Sequence, residues 1–257
     1  MINQELVRTF LFVCACSTIT CITLNTSAKA ETIRSLSLVS VNWEPYYGDN
    51  LLNQGYIAEL TKTAFEREGY KVKFTFLPWK RALKHAALGR YDGLLGAYLT
   101  EERTKNFVYS KPISEVQTVL LSLKKSSIQF DELRQLSPYK IGVIRGASGG
   151  GVFDAATYLN KIPVDLPDQN IEKLINGRID MIFSGKEHII RSLNHKLPNW
   201  DRLIKIHQPA VQENLIYNAI SKMVTNPEKI INAFNRGFTK IKADGTFDEI
   251  LAKHGYR

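Results

Sequence analysis

Cysteine is nearly absent from this 257-residue chain: Cys14, Cys16 and Cys21 are its only three, all within the first 21 residues. They fall inside an apolar run, TFLFVCACSTITCITL, which follows Arg8 and ends at NTSAKA. Ala28 and Ala30 give the small-x-small pattern of a signal-peptidase site, so residues 1–30 are expected to form a cleaved secretory signal. The run has 16 residues, short of the roughly 20 that span a bilayer. Neither Cys16 nor Cys21 has the small, apolar run-up of a lipidation site. The expected mature chain then contains no cysteine, which excludes disulfides, a thiolate nucleophile and cysteine metal ligands. Its stability has to come from a hydrophobic core, for which 227 residues suffice as one large domain or two lobes.

Further absences narrow the function. No basic run exceeds Lys124-Lys125 and no nucleic-acid motif occurs, so nucleic acid is not an expected partner. The five histidines (85, 188, 195, 207 and 254) lack metal-ligand spacing and no G-x-S-x-G elbow is present; neither metal nor other cofactor is expected. The glycine-rich stretch IGVIRGASGGG (141–151) resembles a phosphate loop only superficially. Gly151 is followed by Val152 where a P-loop needs lysine, and no G-x-G-x-x-G fingerprint with a downstream acidic residue replaces it. Loss of Arg8, Lys29 and Glu5 with the signal takes the formal charge from +9 to +8, which favours acidic ligands or anionic surfaces.

What the sequence does contain is a repeated grammar. SLSLVSVN (35–42), KVKFTFLP (71–78) and DGLLGAYL (92–99) read as strands, separated by helical patterns at 57–69 and 79–90. A second unit begins at Tyr139: a strand IGVIRG, a helix GVFDAATYLNK (151–161), a strand IPVDLP (162–167), a helix IEKLING and a strand DMIFSG. VQTVLLSLKKSS (116–127) is too long and apolar for a plain linker, and NLIYNAIS (214–221) is a strand before a long terminal helix. Alternating strands and helices imply parallel α/β units. Here they imply two lobes joined by two crossing segments, with lobe 1 as 31–115 and 213–257 and lobe 2 as 116–212.

Several motifs run through most of that chain. DGLLGAYLTEERTKNFVYSKPI (92–113) resembles the DG…T-x-E-R…F-x-x-S-x-P segment of bacterial extracellular solute-binding proteins of family 3. WEPYY (43–47), GYIAEL (55–60), PWKRALKHAALGRYDG (78–93), GRIDMIF (177–183) and the ADG-T-x-x-x-I-L-x-K-x-G ending resemble further family segments. The resemblance implies a type II periplasmic binding protein-like α/β fold that closes by hinge motion over a small carboxylated solute. It also implies a periplasmic location, an ABC transporter permease as partner (or a membrane sensor, which would use the same cleft), and a monomer.

The resemblance places Arg103 where the family grips a ligand carboxylate, a task suited to a planar guanidinium. Thr100 is expected to cap the turn before it. Trp43 is either an aromatic over the ligand or a core tryptophan, with Tyr46 a weaker candidate of the same kind. Gly96 and Tyr98 fall at hydrogen-bonding positions. Trp79 and Arg81 either face the cleft or simply start a helix. Ser148, in the second lobe's G-A-S-G-G turn, is the expected hydroxyl beside a helix N-terminus that favours a carboxylate. One departure stands out: Gly185 occupies the position where the family's acidic partner for an α-ammonium usually stands, with Lys186 next. Glu187 is the alternative candidate, as ammonium partner or as the general acid of a cyclohexadienyl dehydratase-like enzyme on this fold, with His188 assisting. His188 is otherwise expected on a helix surface.

Overall fold

A computed structural model describes residues 34–256; the expected signal at 1–30 lies outside them. The first half runs β1 (Arg34–Ser40), α1 (Tyr56–Glu66), β2 (Tyr70–Phe76), α2 (Trp79–Ala87), β3 (Gly93–Tyr98), α3 (Glu101–Thr104), β4 (Phe107–Tyr109) and β5 (Ser114–Leu123). There follow β6 (Lys140–Ile144), α4 (Gly151–Ala155), β7 (Asn160–Val164), α5 (Pro167–Ile175), β8 (Met181–Gly185), α6 (Lys186–Lys196) and β9 (Ile204–Ile206). The chain closes with β10 (Gln212–Ser221), α7 (Pro227–Ala243) and α8 (Thr246–Lys253).

All but two of the strands follow one another in the order β2-β1-β3-β10-β5-β8-β6-β7, with β4 also on β10 and β9 also on β5. The ends of this order are alike. β1 pairs in parallel with β2 and β3, and β6 pairs in parallel with β7 and β8. Each trio therefore has its first strand in the middle, with helices covering its faces. The two central strands are antiparallel and shared. β5 meets β10 through Ser114–Thr118 and β8 through Thr118–Ser122, while β10 goes on to β3 through Ile216–Ile220. Two strands thus pass between two lobes, the arrangement expected of the fold.

The hydrophobic clusters respect this division. Leu38, Ile57, Phe65, Phe234 and Ile241 belong to one body of core, while Val119, Leu174, Ile182 and Leu193 belong to another. α1 buries Ile57, Leu60, Thr61, Ala64 and Phe65, one stripe at helical spacing. It crosses α7 so closely that a Cβ on Gly237 would lie 1.8 Å from the Ala64 carbonyl oxygen. Only glycine permits that approach.

Two expectations need correction. The helix expected over 151–161 stops at Ala155, because Asn160–Val164 is drawn into the parallel ladder with Lys140–Ile144, and the strand expected at 162–167 begins two residues earlier. Pro167 opens α5 rather than ending that strand. The expected long terminal helix is α7; Gly245, with a φ of +85°, follows its end, and α8 beyond it was not anticipated.

Candidate functional site

In a parallel α/β unit the crevice lies beyond the carboxyl ends of the strands. Both trios turn that end toward a common cavity of about 150 Å³. Trp43 follows β1, Trp79 follows β2, and Tyr98 and Arg103 end and follow β3; Ser148 and Gly149 follow β6, Pro167 follows β7, and Gly185 ends β8. Aromatic rings stand on both sides, Trp43, Tyr47, Trp79 and Tyr98 on the first and Phe153 stacked on Phe183, at 3.8 Å between ring centroids, on the second.

Arg103 is the fixed point. Thr100 caps α3 through its hydroxyl, which accepts from the Arg103 N–H at 3.3 Å, so the short turn that carries the arginine is held locally. The guanidinium lies in the cavity wall 5.3 Å from the Trp79 ring centroid. Its Nη1 donates to the Tyr98 carbonyl at 3.0 Å, and its Nη2 to the Gly146 carbonyl at 3.1 Å, across the cleft. Trp79 Nε1 donates to the same Gly146 oxygen at 2.9 Å. Arg103 is only 7% exposed, and burial pulls its pKa down. Among the described residues no carboxylate forms an ion pair with it. A guanidinium has five N–H donors; with two of them on carbonyls, it retains donors for an anion.

The glycine-rich turn is arranged differently from expectation. Ser148 Oγ donates to Asp154 Oδ2, and the Gly149 N–H donates to Asp154 Oδ1 at 2.8 Å. Asp154, in the first turn of α4, thus fills the anion position with the protein's own carboxylate. The glycines answer to side chains rather than to a ligand. A Cβ on Gly149 would lie 2.5 Å from the Phe153 ring, and one on Gly150, whose φ is +94°, would lie 1.9 Å from Gln212 Nε2.

The other expected residues divide. Trp43 lines the cavity, its ring 5.8 Å from that of Tyr98, although part of it also packs on the core. Gly96 lines it too, but its carbonyl accepts from Tyr47 Oη at 2.7 Å and its N–H is 3.4 Å from Asn218 Oδ1. Trp79 and Tyr98 face the cavity. Arg81 does not: it is exposed on α2, outside the wall. Tyr46 is buried behind Trp43 and donates from its hydroxyl to Glu187 Oε2 at 2.6 Å; burial, then that hydrogen bond, raises its pKa. Glu187 is accordingly held at the rim and is not part of the cavity wall. At Gly185 an added Cβ would meet Val116 at 3.1 Å and the Trp43 indole at 3.2 Å, so the indole has taken the room of an acidic side chain.

His188 is not on a helix surface but buried, and it contributes to the wall. Sequence reading also passed over Asp154, Lys161, Phe153 and Tyr47. The Ser148/Asp154 spacing at the start of a helix was the one local signal available. Tyr47 and His188 are defined by partners far away in the chain.

Comparisons with known proteins agree with the fold. The profile of "Bacterial extracellular solute-binding proteins, family 3" matches residues 38–256. The "Histidine-binding periplasmic protein" of Escherichia coli O157:H7 is 20% identical over 206 residues, 78% of each chain. A substrate-binding protein of an amino acid ABC transporter from Streptococcus pneumoniae, solved with L-arginine, is 18% identical with a TM-score of 0.69, over 86% of this chain and 94% of that one. A histidine kinase sensor domain described as similar to periplasmic binding proteins is 18% identical with a TM-score of 0.74, over 86% and 95%. Shared fold at these identities, the two-lobed topology and a profile covering nearly all the described residues lead to one conclusion: the chain belongs to the bacterial extracellular solute-binding proteins, family 3.

Proposed function

We propose that this chain is a non-enzymatic periplasmic receptor that captures a small carboxylated solute between its lobes and presents it to the permease of an ABC transporter. Residues 1–30 serve as its cleaved leader, residues 31–115 with 213–257 as one lobe, and residues 116–212 as the other. The observation that carries the reading is Arg103, a buried cation in the wall of an interlobe cavity, bonded only to neutral carbonyls. Such a group gains most from an anion supplied by a ligand. Closure has its own support. Trp79 and Arg103 reach across to Gly146, Tyr46 to Glu187, and Arg191 pairs with Glu44 at 2.7 Å. Contacts made only when the lobes meet bias the open–closed equilibrium toward the ligand-holding state. Glu187, bonded to Tyr46 outside the cavity wall, is poorly placed for a dehydratase-like general acid.

The test is mass spectrometry of ligand released from the purified protein, then calorimetry with that compound on wild type and on Arg103→Ala and Arg103→Lys. Removing one partner of a buried charge pair lowers affinity by at least about thirtyfold. Folded Arg103→Ala with unchanged affinity would refute the reading. The likeness to a kinase sensor domain favours one second reading, in which the closed form is presented to a membrane sensor; stimulation of the permease's ATPase by the loaded protein decides between them.

A further inference from the structure

His188 and the charges around it say more about the ligand than Arg103 does. Nδ1 of His188 lies 2.6 Å from the Glu44 carbonyl oxygen. A carbonyl can only accept, so Nδ1 carries the proton and Nε2 of the neutral ring is a bare acceptor. Nε2 is buried and has no hydrogen-bond partner among the described residues. The residue is 6% exposed and stands in the cavity wall, 6.2 Å from the Trp43 ring between centroids. Buried polar atoms are ordinarily paired, and one left open beside a binding cavity is a place for a ligand donor.

The charges of the wall point the same way. Among the described residues Arg103 and Lys161 are its cations, and Asp154 is its one carboxylate. Asp154 is engaged by Ser148 and Gly149. Lys161 Nζ donates to the Phe153 carbonyl at 2.7 Å beside the cavity; burial pulls its pKa down and the Asp154 charge acts in the opposite direction. The other carboxylates around His188 and Trp43 are engaged outside the wall, Glu44 by Arg191, Asp168 by Lys196 and Glu187 by Tyr46, and a side chain at Gly185 would crowd Val116 and the Trp43 indole. An ammonium group on the ligand would enter a wall that already has a surplus cation.

We infer that the cleft is built for a carboxylate that carries a neutral hydrogen-bond donor, a hydroxyl or an amide N–H, and no ammonium: the carboxylate meets Arg103 and the donor meets Nε2 of His188. A space near 150 Å³ admits a body about the size of benzene in all, so beyond carboxylate and donor the remainder is a short branched chain, and a ring lies at or past the upper limit of size. This rests on the solute-receptor reading and deepens it.

Two matched series test it by calorimetry on the mature protein. One is valine, 2-hydroxyisovalerate and isovalerate; the other is phenylalanine, phenyllactate and phenylpropionate. In whichever series fits, the hydroxy acid is expected to bind about tenfold tighter than the deoxy acid, the worth of one well-made hydrogen bond, and tighter than the amino acid. His188→Asn keeps a donor near Nδ1 and removes the acceptor, so it should erase the hydroxy/deoxy ratio; His188→Gln, with an acceptor near Nε2, should restore most of it. Amino acids binding as tightly as the hydroxy acids would overturn the inference and leave the receptor reading intact. So would a ratio unaffected by His188→Asn, or hydroxy acids that fail where amino acids succeed. Should none of the six bind, nor any other carboxylate of a wider panel, both readings fall together.

Discussion

Asp154→Ala exposes the logic of the second-lobe turn most directly. The carboxylate accepts from Gly149 N–H at 2.8 Å and from the Ser148 hydroxyl. Its removal has unequal consequences. Gly149 is buried, so its N–H is left without an acceptor, an omission that costs about 1–3 kcal/mol. Ser148 is only half-buried and water can replace its acceptor, while Asp154 itself is exposed and releases little on deletion. A net loss of about 1–2 kcal/mol follows, which in a chain of this size lowers Tm by roughly 2–8 °C. Asp154→Asn, which retains an acceptor oxygen toward Gly149, should fall between wild type and alanine. The alanine variant also leaves a carboxylate-shaped vacancy between a hydroxyl and a backbone N–H at a helix start. Formate should therefore raise its Tm more than it raises that of wild type, in thermal melts at constant ionic strength. Identical Tm values for wild type and Asp154→Ala, with no differential response to formate, would refute the account: Asp154 would then be a spectator and the turn free for a ligand.

Two further perturbations follow from the fold. Gly237→Ala puts a methyl 1.8 Å from the Ala64 carbonyl and must separate α1 from α7, so chemical denaturation should show a loss of about 1–3 kcal/mol or more, with no change if the crossing is looser than described. Burial holds the imidazoles of His188 and His207 below the ordinary histidine pKa of 6.5; at His188 the Glu44 carbonyl and the charges of Asp168 and Glu44 pull the other way, and at His207 the Lys205 charge adds to the lowering. The unfolded chain then binds more protons than the folded one between the folded values and 6.5, so stability is full above about pH 7 and falls as pH drops through 6.5. Tm measured from pH 7.5 to 5.5 should decline, and His188→Gln should flatten part of the slope; a wild-type Tm that rises over this range contradicts the sign.

How much of this was legible in the sequence depends on how far apart the determining residues lie. The parallel strands could be read because β2 alternates apolar with polar residues, β3 is a buried apolar run, and Gly or Pro bounds the segments. The turn bearing Arg103 could be read because Thr100 and Arg103 are neighbours in one capped turn. The overlong helix at 151–161 failed because FDAATYL is acceptable to a helix, and only pairing with Lys140–Ile144 forces Asn160 into a strand. α6 was read only through His188, which was expected on its surface, although Ile189 and Leu193 beside it are spaced as a buried face. The residues that set the chemistry of the cleft are further removed. Tyr46 holds Glu187 across 141 residues, Glu44 fixes the tautomer of His188 across 144, and Trp43 fills the space beside Gly185. Each pair joins the loop after β1 to the end of β8 or the start of α6, so one loop from one lobe sets charge, tautomer and free volume at the other lobe's contribution to the cleft. A resemblance carried by contiguous motifs fixes the fold and the arginine. The polar surroundings of the cleft are instead decided by pairs that join the two lobes, which is why Gly185 reads as a missing acid in sequence and as the seat of an indole in structure.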